Sequence, residues 1–224
     1  NDSVIAGDGN DSVAGGDGND SISAGAGNDF ADGGDGSDSM PAGAGDDTLL
    51  GGSGNDILAA GDGNDSVDAG IGDDLVYAIS AGDTAVGGNG NDTLEGGNGI
   101  DTINYAAADA SSGLTINLAT GLASGAAIGN DVLSGFENVV GGAGADTITG
   151  SDLTNSIQGG AGSDVIQAGA GNDWVLFDSA DASVETVTLT VPSELGIDAE
   201  VAVTAARGSA RIDVRCRRLR VRHG

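Results

Sequence analysis

The sequence predicts an all-β solenoid in which short strands stack into two parallel sheets. Residues 6–104 consist of eleven consecutive nine-residue units that follow one another without a change of frame. Glycine occupies the second and fourth positions of every unit but one, and aspartate occupies the sixth position of all eleven. The eighth position is apolar throughout. A short fixed period of this kind is characteristic of repeat architectures, so it defines the fold before any single element is assigned.

Each unit divides into a turn and a strand. Its first six positions, of the form Gly-Gly-x-Gly-x-Asp, predict a turn, because glycine adopts positive φ or allows two backbones to approach closely. Asparagine is frequent at the fifth position, as at Asn10 and Asn19, where it suits a left-handed conformation. Positions seven to nine predict a three-residue strand whose middle side chain points inward. These middle residues are Val13, Ile22, Ala31, Met40, Leu49, Leu58, Val67, Val76, Ala85, Leu94 and Ile103.

Two units make one coil of eighteen residues, which contributes one strand to each sheet. Coils stacked about 4.8 Å apart enclose a thin aliphatic core between the sheets. One unit cannot bury its apolar side chain alone, so we expect stability to be cooperative along the stack. The unit 78–86 is the weakest, because Ile79 and Ala81 replace both glycines.

The chain divides into five regions. Residues 1–104 form the first array, which opens on the remnant of an earlier unit, so we interpret the sequence as part of a longer protein. Residues 105–140 form a non-repeat spacer, in which residues 114–118 alternate like a half-buried strand. Residues 141–176 form a second array of four units. Residues 177–206 predict strands that cap the open end of the stack, and residues 207–224 form an Arg-rich tail expected to be disordered.

The charge of the chain is strongly acidic. Asp and Glu number 35 against seven basic residues, for a formal net charge of −28, and every basic residue lies at or beyond Arg207. Such a chain repels itself when compact and also repels nucleic acid and anionic membranes, so it needs a cationic partner to fold. The single cysteine, Cys216, excludes an internal disulfide, and no apolar run approaches the roughly 20 residues of a membrane span.

The repeated turn has the donor chemistry of a calcium site. Calcium takes six to eight oxygen ligands, both carboxylates and backbone carbonyls. One turn offers too few oxygens, but successive units alternate between the two edges of the stack, so unit n faces unit n+2. Asp11 then shares an ion with Asp29, and Asp20 shares one with Asp38. An EF-hand loop is excluded because its sixth-position Gly and twelfth-position Glu are missing, and zinc is excluded because there is one Cys and one His.

The repeat resembles the RTX (repeats-in-toxin) calcium-binding nonapeptide GGxGxDxUx, across residues 6–104 and 141–176. The resemblance implies a right-handed parallel β-roll with up to about eleven calcium ions between the stacked turns. It also implies a bacterial protein exported by type I secretion, extracellular or at the cell surface, which folds on reaching calcium. The candidate calcium ligands are Asp11, Asp20, Asp29, Asp38, Asp47, Asp56, Asp65, Asp74, Asp92, Asp101, Asp146, Asp164 and Asp173. Asp83 is omitted because its unit lacks both glycines, and the sixth position at Asn155 carries no charge.

Other function classes fit the sequence less well. It contains neither H-E-x-x-H nor G-x-S-x-G, and its paired carboxylates are expected to form a solvent-facing array rather than a cleft, so we do not expect an enzyme within these residues. RTX arrays often adjoin a protease, lipase or epimerase domain, and such a domain or a toxin could be attached. A calcium-rigidified adhesin segment that contacts a cell surface is the other alternative. The third positions form no threonine ladder of the kind that binds ice.

Overall fold

The computed structural model describes residues 1–108 and 113–176, together with the backbone of two short strands at 186–188 and 211–213. These residues contain 23 strands and no helix, and the strands stack in parallel as a solenoid. The predicted all-β fold class is confirmed, and the arrangement is consistent with a β-roll. The described residues hold no helix that is long and apolar enough to cross a membrane.

The first nine strands are longer than the sequence predicts. Each begins at position seven and continues through position three of the next unit, so the predicted length of three residues is wrong for β1–β9. The strands are β1 (Ser3–Asp8), β2 (Ser12–Asp17), β3 (Ser21–Ala26), β4 (Phe30–Asp35), β5 (Ser39–Ala44), β6 (Thr48–Ser53), β7 (Ile57–Asp62), β8 (Ser66–Ile71) and β9 (Leu75–Ala81). The ladder extends because the position-two glycines pair across it, as Gly7 does with Gly25.

Later strands are mostly three residues long, as predicted. They are β10 (Thr84–Val86), β11 (Thr93–Glu95), β12 (Asn98–Gly99), β13 (Thr102–Asn104), β14 (Thr115–Asn117), β15 (Leu122–Gly125), β16 (Gly129–Ser134), β17 (Asn138–Val140), β18 (Thr147–Thr149), β19 (Ser156–Gln158), β20 (Val165–Gln167), β21 (Trp174–Leu176), β22 (Thr186–Thr188) and β23 (Arg211–Asp213).

Two sheets form the walls of the solenoid. The first sheet has the order β1-β3-β5-β7-β9-β11-β16-β15-β14-β18-β20-β22, with β12 beside β9. The second has the order β2-β4-β6-β8-β10-β13-β17-β19-β21-β23. Residues eighteen apart are in register within the first array, for example Ser3 with Ser21 and Ser12 with Phe30. The period of two units per coil is therefore confirmed.

The core contains the predicted eighth positions and one further position. Side chains from Ile22 to Ile103 at position eight are all buried. The first position also faces inward, since its alanines from the third unit onward are buried as well: Ala24, Ala42, Ala60, Ala69 and Ala78. Sequence reasoning missed this second inward row because it assigned the first position to the turn.

The spacer inserts two additional strands into the first sheet only. Strands β14, β15 and β16 form an antiparallel meander between β11 and β18, whereas in the second sheet β13 and β19 are separated by β17 alone. Large side chains fill the widened core beneath the meander, among them Tyr105, Leu114, Ile128 and Phe136. The strand predicted within residues 114–118 is present as β14.

The C-terminal predictions fall mostly outside the described residues. Within the predicted cap, β22 extends the first sheet in parallel with β20. Within the tail, β23 pairs antiparallel with β21. The rest of 177–224, including the remaining predicted cap, lies outside the described residues.

The unit 78–86 keeps the backbone path of its neighbours at a conformational cost. Ile79 has a φ of 87° and Ala81 a φ of 81°, in the region that favours glycine. We therefore expect Ile79→Gly to raise the free energy of unfolding by about 1–2 kcal/mol, measured by denaturant unfolding in calcium.

The matched control for that substitution is Ile71→Gly. Ile71 is a similarly exposed isoleucine in β8, at ordinary φ, so glycine there should lower stability by roughly 0.5–1 kcal/mol. Equal losses in both variants would show that Ile79 is not strained.

Candidate metal-binding turns

The position-six aspartates lie in two rows along the edges of the roll, and they are buried. From Asp20 to Asp101 each is at most 4% exposed. The expected solvent-facing array of carboxylates is therefore wrong. The close stacking of coils explains the burial, because each turn covers the aspartate of the turn beside it.

One carboxylate oxygen of each aspartate binds the adjacent turn. The backbone N–H of Asp11 donates to Oδ1 of Asp29 over 2.8 Å, and that of Asp20 donates to Oδ1 of Asp38 over 2.7 Å. The same bond recurs at every step of eighteen residues up to Asp83 and Asp101, with lengths of 2.7–2.9 Å. Aspartates of units n and n+2 are thus neighbours, as the two-unit period predicts.

The other carboxylate oxygen has no protein partner in the first array. Oδ2 is buried and accepts no hydrogen bond in Asp11, Asp20, Asp29, Asp38, Asp47, Asp56, Asp65, Asp74, Asp83, Asp92 and Asp101. Leaving a buried carboxylate oxygen unpaired is costly. The eleven unpaired atoms, which lie in the two rows, make these turns chemically suited to a cation.

A second row of hydrogen bonds runs in the opposite direction at position five. The N–H of Asn28 donates to Oδ1 of Asn10 over 2.9 Å, and the N–H of Asn91 donates to Oδ1 of Asp73 over 2.8 Å. Among the described residues, no asparagine has positive φ. The expectation that asparagine is selected for a left-handed conformation is therefore wrong, and its side chain serves instead as a hydrogen-bond acceptor for the next turn.

The glycines at positions two and four bring main-chain oxygens close to the next turn. Gly25 has a φ of 121°, and a Cβ on it would collide with the carbonyl oxygen of Gly7. Gly27 has a φ of 131°, and a Cβ there would collide with the carbonyl oxygen of Gly9. Glycine is required for both reasons, and each turn interface is consequently rich in oxygen.

Burial perturbs the acidity of these carboxyls. Burial, together with a smaller contribution from neighbouring carboxylates, raises the pKa of Asp74 and of Asp92 to about 7 and that of Asp65 to about 6. The N–H bond to each Oδ1 opposes these shifts without cancelling them. No Lys or Arg precedes Arg207, so these charges have no side-chain counterion from the repeat arrays.

Side chains alone do not form a metal site. Nowhere in residues 1–108 and 113–176 do three Asp, Glu, His or Cys side chains group together in a way that could hold a metal ion. A cation at these turns would need main-chain carbonyls beside the Oδ2 atoms. That mixture of oxygen donors suits calcium, which accepts both kinds of ligand in flexible geometry.

Comparison with protein families gives a match over most of the chain. A family model described as the RTX calcium-binding nonapeptide repeat (four copies) matches residues 1–40, 41–76, 77–108, 127–152 and 149–181. The chain belongs to the RTX calcium-binding nonapeptide repeat family. Comparison with curated proteins gave no match.

The structure adds two residues to the predicted RTX rows. Asp83, omitted from the candidates, is 1% exposed, and its Oδ1 accepts the N–H of Asp65 over 2.8 Å. Asp131, within the spacer, accepts the N–H of Asp92 over 3.1 Å and is also 1% exposed. A sequence signal for Asp131 exists, because residues 129–134 read Gly-Asn-Asp-Val-Leu-Ser and fit positions four to nine of the repeat.

Three predicted ligands lie in the second RTX array. Oδ1 of Asp164 accepts the N–H of Asp146 over 2.8 Å, and Oδ1 of Asp173 accepts the N–H of Asn155 over 2.9 Å. Asp146 differs from the first array, since its Oδ2 accepts the N–H of Gly142 over 2.8 Å. The second array therefore repeats the row of Oδ1 bonds but has a different environment at Asp146.

Proposed function

We propose that this chain is a calcium-dependent RTX β-roll module, in which ions bind between turns that are eighteen residues apart. The observation that supports this is that all eleven position-six aspartates of the first array have a buried Oδ2 atom without a protein partner. The proposed ligands in the first array are Asp11, Asp20, Asp29, Asp38, Asp47, Asp56, Asp65, Asp74, Asp83, Asp92 and Asp101. Asp164 and Asp173 are proposed on the repeat pattern alone.

The two oxygens of each aspartate have separate tasks in this proposal. Oδ1 accepts an N–H from the adjacent turn and so fixes the orientation of the carboxylate, as at Asp38 and Asp56. Oδ2 is then available to the ion, together with glycine carbonyls of the stacked turns. Calcium supplies positive charge that holds two carboxylate-bearing turns together, because the repeat arrays contain no Lys or Arg that could do so.

The charge of the first array agrees with one calcium ion between each pair of stacked turns. Residues 6–104 contain twenty acidic side chains and no basic one. Neighbouring aspartates define nine intervals between Asp11 and Asp101, and nine divalent ions would offset about 18 of those 20 charges.

We further propose that the module belongs to a secreted bacterial protein and folds after export. Folding requires calcium in the range of extracellular modules, about 10⁻⁴–10⁻³ M, so the chain would remain unfolded in a calcium-poor cytosol. A folded module could stabilise or display an attached domain. The alternatives are the C-terminal part of a secreted enzyme and a rigid adhesin segment, each of which uses the same calcium-bound roll.

A calcium titration followed by far-UV circular dichroism tests the proposal. We expect little strand signal in chelator and a cooperative gain between about 10⁻⁴ and 10⁻³ M calcium. Magnesium at the same concentrations is the control, and it should be ineffective because it demands near-octahedral geometry and dehydrates reluctantly. A strand signal of full size in chelator would contradict the proposal.

A further inference from the structure

In the turns around the spacer, protein groups alone provide the hydrogen-bond partners of the sixth-position side chains. Asp131, Asp146 and Asn155 occupy the sixth position of their turns, like the aspartates of the first array. In each, Oδ1 accepts a hydrogen bond from a backbone N–H, and the second polar atom of the side chain also has a protein partner. The difference separates two chemical kinds of turn within one solenoid.

The clearest case is the pair formed by Tyr105 and Asp131. The hydroxyl of Tyr105 donates to Oδ2 of Asp131 over 2.9 Å. Tyr105 is 1% exposed and is the largest fully buried side chain among the described residues. Burial raises the pKa of Tyr105, so its hydroxyl stays protonated and acts as a donor. At Asp92, one turn earlier in the same row, the equivalent oxygen has no protein partner.

The next two turns are closed by other donors. Oδ1 of Asp146 accepts the N–H of Leu114 over 2.7 Å, and its Oδ2 accepts the N–H of Gly142 over 2.8 Å. At Asn155 the amide replaces the carboxylate. Its Oδ1 accepts the N–H of Ser151 over 2.7 Å, and its Nδ2 donates to the carbonyl oxygen of Glu137 over 2.8 Å. Neither turn is left with the unpaired carboxylate oxygen that favours a cation.

Packing and charge distinguish the same segment. Residues 113–158 contain four acidic side chains, against twenty in residues 6–104, so there is less repulsion for a cation to relieve. The buried side chains around the meander include two aromatic rings, those of Tyr105 and Phe136, whereas the buried apolar side chains of residues 6–104 include none. The buried side chains around the meander are Tyr105, Leu114, Ile116, Ile128, Leu133, Phe136, Val139, Ile148 and Ile157.

We propose that residues 105–108 and 113–158 form a metal-independent core of the roll, in which the Tyr105 hydroxyl does for Asp131 what calcium does for the first array. This rests on the proposed calcium-dependent function of the remaining turns. The first array stacks on this core. The N–H of Asp92 donates to Asp131, and the N–H of Asp101 donates to Glu137. Asp131 and Asp146 are then not calcium ligands.

Hydrogen exchange read by mass spectrometry, with the whole chain in calcium and in chelator, tests this proposal. Peptides from 113–158 should stay protected in both conditions, and those from 6–101 should lose at least about tenfold protection in chelator. Uniform loss in chelator would overturn the metal-independent core but leave the proposed function intact. Uniform protection in both conditions would overturn the proposed function.

The substitution Tyr105→Phe removes only the hydroxyl group and so tests its contribution. Tyr77→Phe is the matched control. Tyr77 is on the outer face of β9 and 36% exposed, so its loss should leave the exchange pattern unchanged. Tyr105→Phe should accelerate exchange of peptides 113–158 in chelator by about tenfold, the effect of leaving one buried acceptor unpaired. No acceleration would show that the hydroxyl is not what closes the turn.

Calcium stoichiometry provides a second readout that does not depend on folding in chelator. Asp131→Asn should bind as many ions as the unmodified chain, measured by isothermal titration calorimetry. Asp56→Asn, in a turn whose Oδ2 has no protein partner, should bind fewer. If Asp131→Asn loses ions as Asp56→Asn does, Asp131 is a calcium ligand and the proposal is wrong.

Discussion

Gly45→Ala should destabilise the calcium-bound roll by more than about 3 kcal/mol, the largest effect we expect from a single methyl group. Gly45 has a φ of 131°, which L side chains rarely adopt. A Cβ on Gly45 would also collide with the carbonyl oxygen of Gly27 and lie 2.5 Å from its carbonyl carbon. Backbone atoms cannot move aside as a flexible side chain would, so the two turns must separate. Denaturant unfolding in saturating calcium measures the loss.

Gly9→Ala is the matched control for this effect. Gly9 has a φ of 122°, and a Cβ on it would have no atom within 4 Å. The conformational cost of a positive φ, about 1–2 kcal/mol, is therefore common to both substitutions. Only Gly45→Ala adds the collision between stacked turns. Equal losses in the two variants would mean that neighbouring turns are not packed as closely as the structure has them.

In chelator, the strand content of the chain should increase as the pH is lowered from about 8 to about 5. The folded-state pKa values of Asp74 and Asp92 are about 7 and that of Asp65 is about 6, all above the ordinary value of 3.8. The folded chain therefore binds more protons than the unfolded chain between those limits, and its stability falls as the pH rises through them. Each pKa unit corresponds to about 1.4 kcal/mol before screening by solvent. Circular dichroism in chelator across this range measures the effect.

The double variant Asp74→Asn, Asp92→Asn is the control for the titration. Asparagine keeps an oxygen that can accept the N–H of the adjacent turn but carries no charge. We expect the metal-free variant to be more stable than the unmodified chain at pH 8 and to respond less to acidification. In calcium, the same variant should bind fewer ions. A pH profile identical to that of the unmodified chain would show that these two carboxyls do not limit the metal-free fold.

The repeat itself determines most of what could be predicted from the sequence. A nine-residue frame with one apolar position allows few architectures, so the stacked sheets, the buried row from Ile22 to Ile103 and the proximity of Asp11 to Asp29 all follow from it. The inward row at position one was missed because glycine and alanine there resemble turn residues. Alanine is small enough to fit beneath the turn, and its burial depends on the facing sheet rather than on local sequence.

The environment of the aspartates could not be predicted from one unit. Their burial and the unpaired Oδ2 atoms arise only when a second turn covers the first, which is a contact across eighteen residues. Asp83 was omitted because its unit lacks the glycines at positions two and four, but stacking imposes the same backbone path on Ile79 and Ala81 at the cost of positive φ. Asp131 was missed because β16 matches only positions four to nine of the repeat, and its partner Tyr105 lies 26 residues earlier in the chain.

The one-sided meander has a mechanical consequence for the rod as a whole. Two strands that are present in the first sheet and absent from the second add about 10 Å to one wall at the usual strand spacing. A tube with one longer wall cannot have a straight axis, so the spacer should act as a fixed elbow. The parts of the solenoid before and after the spacer would then lie at an angle to each other, and the meander would set that angle.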